Sequence, residues 1–315
     1  MKLNVLVTGC GGDIGQSIGK ILSNSEYVLK LVGCDISDKN PAQFIYDTFL
    51  TSLPCSDDKY LTDLKSLIKL HEIDLIIPAS EPEIRFFSKK NITSHIGKSK
   101  LICANKQSLK TGFDKLSTAK FLEENKLPFP VTESLATFKG LFDFPFVVKS
   151  RTGSGSSNVY IVKDIETLDY LKTKSGEYIA QEYLPEDKGE YTCGLFRSSQ
   201  GIIRSIIFKR SLTGGYSSYG EVIHNKEIKN LLIEIAHKIS LEGSINVQLR
   251  LTIKGPIIFE INPRFSSTVL FRHLFGFKDL LWSIEDKMNM DLSEYIGVKN
   301  RREVYSKICS NYFKN

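Results

Sequence analysis

The chain has 315 residues, 41% hydrophobic and 25% charged, with a formal net charge of +6. That length supports two or three packed units. The small positive excess, without a lysine-rich tail or dense basic block, argues against a nucleic-acid binder and leaves small anionic ligands, nucleotides included. Six scattered cysteines (Cys10, Cys34, Cys55, Cys103, Cys193, Cys309) form no CxxC or Cys/His pair, which excludes the usual zinc and disulfide patterns and fits reduced cytosolic thiols.

The opening MKLNVLVTGC has too short an apolar run for a signal peptide. No apolar stretch reaches the roughly 18 residues of a membrane span, so a cytoplasmic chain without membrane contact is expected. LNVLVTG predicts a buried strand, DIGQSIGKILSN a helix and LKLVGCDI a second strand. YLTDLKSLIKLHE predicts a helix, IDLIIPAS a third strand and KLICAN a fourth. Short apolar strands alternating with helices imply a doubly wound parallel sheet over residues 1–104.

The loop 9–15, GCGGDIG, follows the first strand and opens a helix. Its glycines suit close approach of an anion to a helix N-terminus, and Asp35 ends the second strand where nicotinamide enzymes keep a ribose-binding acid. The plain alternative is that the glycines only let the first helix pack on the sheet. Tyr170 and Lys174 make a YxxxK pair with Ser157 upstream, so an NAD(P)-dependent short-chain-type dehydrogenase or epimerase is the second reading. PASEPE, with Ser80 and Glu81, ends the third strand. It offers either a substrate contact or a helix N-cap with an acid in the first turn.

Residues 113–126 predict an amphipathic helix, followed by strands at 144–149 and 157–163, a helix at 165–173 and a strand at 177–183. The unit FPFVVKSRTGSGSSNVYIV is strand, glycine loop, strand. Backbone N–H groups of such a loop (Gly153, Ser154, Gly155, Ser156) can cover phosphates, with Lys149 beside them and Lys115 upstream. The alternative is a plain flexible hairpin. At Gln181, Glu182, Tyr183 and Leu184 the next strand turns, and backbone groups there can meet an adenine edge. Glu190 can meet ribose hydroxyls, or simply be a solvated acid.

Residues 190–209 predict antiparallel strands, SLTGGYSSYGE a flexible loop, and NKEIKNLLIEIAHKISL a helix. INVQLRL and PIIFEINPR predict a hairpin around TIKG. Alternation puts Glu260, Asn262 and Arg264 on one face, with Phe259 and Ile261 toward a core. A three-residue turn, Lys254–Gly255–Pro256, would set Gln248 opposite Asn262 and diagonal to Glu260, whereas a two-residue turn would flip Gln248 away. The odd-length turn is expected. Three oxygen ligands, Gln248, Glu260 and Asn262, then suit magnesium completed by phosphate oxygens, with Arg264 reaching a phosphate or developing charge. Lys209, Arg210, the loop 213–220, Arg272 and His273 are further candidates for the substrate side, against the alternative of solvated charges. The end of the chain, RREVYSKICSNYFKN, is polar.

NVQ followed by FEINPR and SS resembles the metal and phosphate signature of ATP-grasp enzymes, most closely the carbamoyl phosphate synthetase large-chain type. The resemblance covers nearly the whole chain. It implies an α/β and α+β architecture: a Rossmann-like pre-ATP-grasp domain over 1–104, an ATP-grasp domain over 105–300 with a small antiparallel lid at about 118–183, and a tail at 301–315. It further implies ATP with Mg2+, or Mn2+ as the alternative, held as follows. Lys115 and Lys149 touch phosphates under the lid loop 152–158. Gln181, Glu182, Leu184 and Glu190 hold the nucleoside, while Gln248, Glu260 and Asn262 hold the metal. Arg264 stands near an acyl phosphate. The implied partners are small-molecule carboxylate and amine substrates, with a homodimer as an added option. Only one ATP-grasp unit is present, with no glutaminase or allosteric unit, so carbamoyl phosphate synthesis itself is not expected. On this reading the loop 9–15 becomes a substrate-side feature.

Overall fold

The computed structural model describes residues 2–153, 158–174, 176–185, 189–213, 216–297 and 303–305. The elements run β1 (Leu3–Thr8), α1 (Asp13–Leu22), β2 (Val28–Asp35), β3 (Thr48–Thr51), α2 (Tyr60–Leu70), β4 (Leu75–Pro78), α3 (Glu81–Lys89), β5 (His95–Ile96) and β6 (Ser99–Leu101). They form one sheet in the order β3-β2-β1-β4-β6-β5, parallel except for β5 against β6. β1 shows why both faces are covered. Leu3, Val5 and Val7 pack with α1, while Leu6 packs on the other side with Tyr60, Leu64 and Phe87. Beyond the four expected strands, the sheet gains β3 and β5 at its two edges.

The second sheet follows α4 (Lys106–Gly112) and α5 (Lys115–Glu124) and comprises β7 (Thr132–Ser134), β8 (Phe146–Ser150), β9 (Val159–Val162) and β10 (Tyr178–Glu182). Its order is β7-β10-β8-β9, and α6 (Ile165–Thr173) closes its core through Leu168 and Leu171. The expected helix 113–126 is shorter. Asp114 caps α5 by accepting from the Leu116 N–H, and Arg151 grips the same carboxylate at 2.9 and 2.7 Å. Phe121 and Leu122 of α5 pack in the third-sheet core, so the lid core starts at Leu135, later than residue 118.

The third sheet is antiparallel, with β11 (Glu190–Arg197), β12 (Ile203–Thr213), β13 (Tyr216–Val222), β14 (Gly243–Thr252), β15 (Gly255–Asn262) and β16 (Glu303–Tyr305). Its order is β15-β14-β11-β12-β13-β16. One face carries α4, α5 and α7 (Lys226–Lys238); the other meets α8 (Val269–Leu274) and α9 (Asp279–Lys287). Those last helices also press Val269, Leu280 and Ile284 onto the first sheet, joining the chain's end to its beginning. Of the expected flexible loop 211–221, residues 211–213 and 216–221 are strand instead: Arg210 pairs with Gly220 and Ser211 with Tyr219, while 214 and 215 lie outside the described residues. In the polar tail, residues 303–305 form β16 against β13. Among the described residues, no helix is long and apolar enough to cross a membrane.

The hairpin that carries the candidate metal face corrects the expected turn. Thr252 pairs with Gly255, so only Ile253 and Lys254 lie between them. A bulge restores the face. Leu249 pairs with Ile258 but Gln248 pairs with Glu260, leaving Phe259 as the extra residue. Gln248 therefore opposes Glu260, and Asn246 opposes Asn262.

The loop 9–15 packs tightly at Gly9, Gly11 and Gly15. A Cβ on Gly15 would sit 2.5 Å from Cys10 Cα and 2.6 Å from the Gly9 carbonyl oxygen. Gly15→Ala should lower unfolding stability by about 1–3 kcal/mol, the usual cost of overpacking. Urea titration checks this, and a midpoint equal to wild type would refute it.

Candidate active site

A cleft of about 870 Å³ lies where the three sheets meet. Its walls bring together Lys115, Lys149, Gly153, Gln181, Glu182, Leu184, Glu190, Arg210, Gln248, Glu260, Asn262 and Arg264, with Ser80 and Glu81 from the first sheet. These residues come from segments nearly two hundred positions apart. Only folding makes them neighbours.

Lys149 is the penultimate residue of β8 and is only 6% exposed. Burial pushes its pKa down to about 8; the Glu260 charge opposes that shift, and Lys115 adds to it. Its Nζ lies 5.5 Å from the Phe259 ring centroid, within cation–π range. Phe259 was expected in the core with Ile261. The bulge instead places it on the cleft wall, whereas Ile261 is buried. Lys115 opens α5, and its Nζ donates to the Gly153 carbonyl at 2.8 Å. Ser154, Gly155 and Ser156, the rest of the predicted phosphate loop, lie outside the described residues.

At the end of β10, Gln181 Nε2 donates to Thr132 Oγ1 at 2.9 Å, and the Glu182 N–H donates to the Val131 carbonyl at 2.8 Å. Glu182 also accepts from the Val131 N–H at 3.2 Å, and the Leu184 carbonyl accepts from Arg250. Tyr183 is half-buried and is not part of the cleft wall. Glu190 is clasped by Arg210 at 2.6 Å and by Arg250 at 3.2 Å. It is thus a paired acid rather than a solvated one. Arg250 was not singled out in the sequence.

On the facing strands, Arg210 donates to Gln248 Oε1 at 2.8 Å. That bond takes one of the two acceptor positions of the Gln248 oxygen and leaves the other for a metal. Glu260 and Asn262 line the cleft beside it, Asn262 only 6% exposed. The described residues contain no group of three or more His, Cys, Asp or Glu side chains placed to hold a metal. A single carboxylate flanked by amide oxygens fits a hard cation that takes most of its ligands from phosphate and water, which is the habit of magnesium.

At the other end, Arg264 lies 3.6 Å from Glu81, which Arg85 also holds at 2.8 Å. The Arg264 Nε has no hydrogen-bond partner. Asp13, in the first turn of α1, lines the cleft here and was missed in the sequence. Burial raises its pKa; the Ile14 N–H and Arg264 oppose the rise. Ser80 occupies the N-cap position of α3 without a side-chain bond to the helix backbone. Two substrate-side candidates are placed elsewhere. Lys209 is exposed, pairs in register with Tyr191, and does not line the cleft. Arg272 is wholly buried and bonded to Asp279 at 3.1 Å. His273 is likewise outside the cleft wall.

The dehydrogenase reading finds no support. Asp35 Oδ2 already accepts from the Gly11 N–H at 2.8 Å, tying the glycine loop to the end of β2. Tyr170 is 62% exposed on α6, and Lys174 Nζ donates to Tyr160 OH at 2.9 Å. Neither lines the cleft. Ser157 lies outside the described residues.

Three sheets close on a cleft with Lys115 and Lys149 on one wall and Gln248, Glu260 and Asn262 on another. The family model for the ATP-grasp domain matches residues 113–268 of the chain. Its fold is similar to an ADP complex of N5-carboxyaminoimidazole ribonucleotide synthetase (TM-score 0.76, 16% identity, 94% of this chain and 79% of that one). It is also similar to the biotin carboxylase β,γ-ATP complex from Campylobacter jejuni (TM-score 0.73, 12% identity, 93% and 73%). A third similar structure is the biotin carboxylase domain of Hydrogenobacter thermophilus 2-oxoglutarate carboxylase with MgADP and bicarbonate (TM-score 0.72, 13% identity, 93% and 71%). No curated protein matches the sequence.

Proposed function

We propose that the chain is an ATP- and Mg2+-dependent carboxylate–amine ligase, ADP-forming, working through an acyl phosphate. The observation that carries this reading is the buried Lys149 at one cleft wall, facing Glu260, Asn262 and Gln248 on the other. A carboxylate oxygen attacks the γ-phosphorus of ATP and ADP leaves. The amine nitrogen then attacks the acyl carbon, phosphate leaves, and the nitrogen loses a proton. Lys149 and Lys115 neutralise phosphate charge, and Arg264 faces charge developing at the acyl centre. Magnesium, held by Glu260, Asn262 and the second acceptor position of the Gln248 oxygen, would supply charge neutralisation beside the phosphates. The lid loop 152–158 would exclude water from the acyl phosphate. Bicarbonate, amino acids, small peptides and carboxylated sugars all fit the carboxylate class.

Thermal melting separates the readings. MgATP should raise the midpoint, by several degrees at saturating ligand, while NAD and NADP leave it unchanged. Carboxylate and amine pairs are then screened for ADP release. A shift with NAD(P) and none with MgATP would sink the ligase reading.

A further inference from the structure

We propose that Arg272 is a positioning residue: it turns the carboxamide of Asn246 so that Nδ2 faces the cleft as a fixed donor to an oxyanion. This deepens the ligase reading and rests on it only for the nature of that anion, a phosphoryl oxygen or a carboxylate.

Asn246 lies on β14 opposite Asn262, is 1% exposed, and lines the cleft. Its Oδ1 accepts from Arg272 and, at 2.9 Å, from Thr192 Oγ1 on the neighbouring strand. A guanidinium has donors only, so the atom facing Arg272 must be the oxygen. With both acceptor positions of Oδ1 engaged from the protein side, the NH2 group is left toward the cleft. Were the amide reversed, the same spot would present an acceptor, suited to a cation.

The guanidinium is itself held. Its NH1 donates to Asp279 at 3.1 Å, and Asp279 also accepts from Ser244 at 2.7 Å. Space is kept for it as well, since a Cβ on Gly194 would meet Arg272 Nε at 2.9 Å and Cζ at 3.0 Å. A buried ion pair is a weak device for stability, because apolar side chains of similar volume often serve as well. A donor-only group placed on a rotatable amide of the cleft wall has an effect that packing would not give.

The test uses the whole chain labelled with 15N-asparagine, with the Asn246 side-chain resonance identified by its loss in Asn246→Asp. That variant keeps an oxygen for Arg272 and Thr192, so its melting midpoint should match or exceed wild type. Inorganic phosphate, bicarbonate and MgATP are titrated separately. The resonance should move with at least one of them, and Asn246→Asp should weaken that ligand at least about tenfold, the scale of a hydrogen bond to a charged group. A phosphate response marks a phosphoryl oxygen, a bicarbonate response a carboxylate. Arg272→Lys keeps a charge for Asp279 but replaces the planar fork, whose separate nitrogens hold Asp279 and Asn246, with a single point donor. It should weaken the same ligand, and the double variant should be no weaker than Asn246→Asp alone. A resonance indifferent to all three ligands, or losses that add, would overturn the proposal. Movement with phosphate or bicarbonate but no binding of MgATP would instead remove the ligase reading and leave the positioning role standing.

Discussion

Glu260→Ala should cut ATP turnover at least about a hundredfold, the scale on which a preorganised electrostatic partner is lost. Two effects combine. Glu260 is the one carboxylate of the face it shares with Gln248 and Asn262, so its loss leaves only neutral amides for a divalent cation. It is also the charge that most opposes the burial cost of Lys149. Without it Lys149 is driven further toward the neutral amine, and the phosphate side loses a cation. Glu260→Gln keeps the shape and removes the charge, and should behave nearly as badly. Core packing is untouched in either variant, because the neighbouring Ile258 and Ile261 hold β15 in place. The measurements are ADP release against magnesium concentration, and the MgATP melting shift. Turnover within a few-fold of wild type in both variants would show that the metal is held elsewhere.

The face at 260–264 was legible because a strand alternates and three consecutive same-side residues were all polar. What the sequence hid was how that face is aligned. A two-residue turn at Ile253 and Lys254 should have flipped Gln248 away; the bulge at Phe259 cancels the flip. A bulge belongs to a pair of strands, and nothing local to either strand announces it. Arg272 was read as a substrate charge for the same kind of reason. Its partners Asp279 and Asn246 lie 7 and 26 residues away, and only packing of α8 on the third sheet joins them. The stretch 211–221 looked like a loop from its glycines and serines, yet residues 211–213 end β12 and 216–221 lie in β13, since register partners override weak local preference. The parallel sheet was easier to see. Its strands are apolar on both sides, a pattern that few other folds require.

Lys149→Met should stabilise the ligand-free protein while removing its affinity for MgATP. The folded-state pKa of Lys149, about 8, lies below the ordinary 10.5 because burial disfavours the charge. Below pH 8 the lysine is charged in both states, and folding carries the full cost of burying the ammonium. Between pH 8 and 10.5 the unfolded chain binds more proton than the folded one, so stability rises with pH, and above 10.5 the cost is gone. At about 1.4 kcal/mol per unit, the cost near neutrality is on the order of a few kcal/mol. The methionine variant should therefore melt higher than wild type at pH 7, and the gap should close as pH passes from 8 toward 10.5. Binding runs the other way. Triphosphate oxygens beside Nζ favour the ammonium, so MgATP binding near pH 9 should take up close to one proton, visible as a dependence of calorimetric heat on the buffer's ionisation enthalpy. Wild-type affinity should fall as pH rises through 8, while the variant is weak throughout. A variant that melts lower than wild type at pH 7, or binding heats independent of buffer, would mean that the buried ammonium is not held at a cost for the sake of the phosphates.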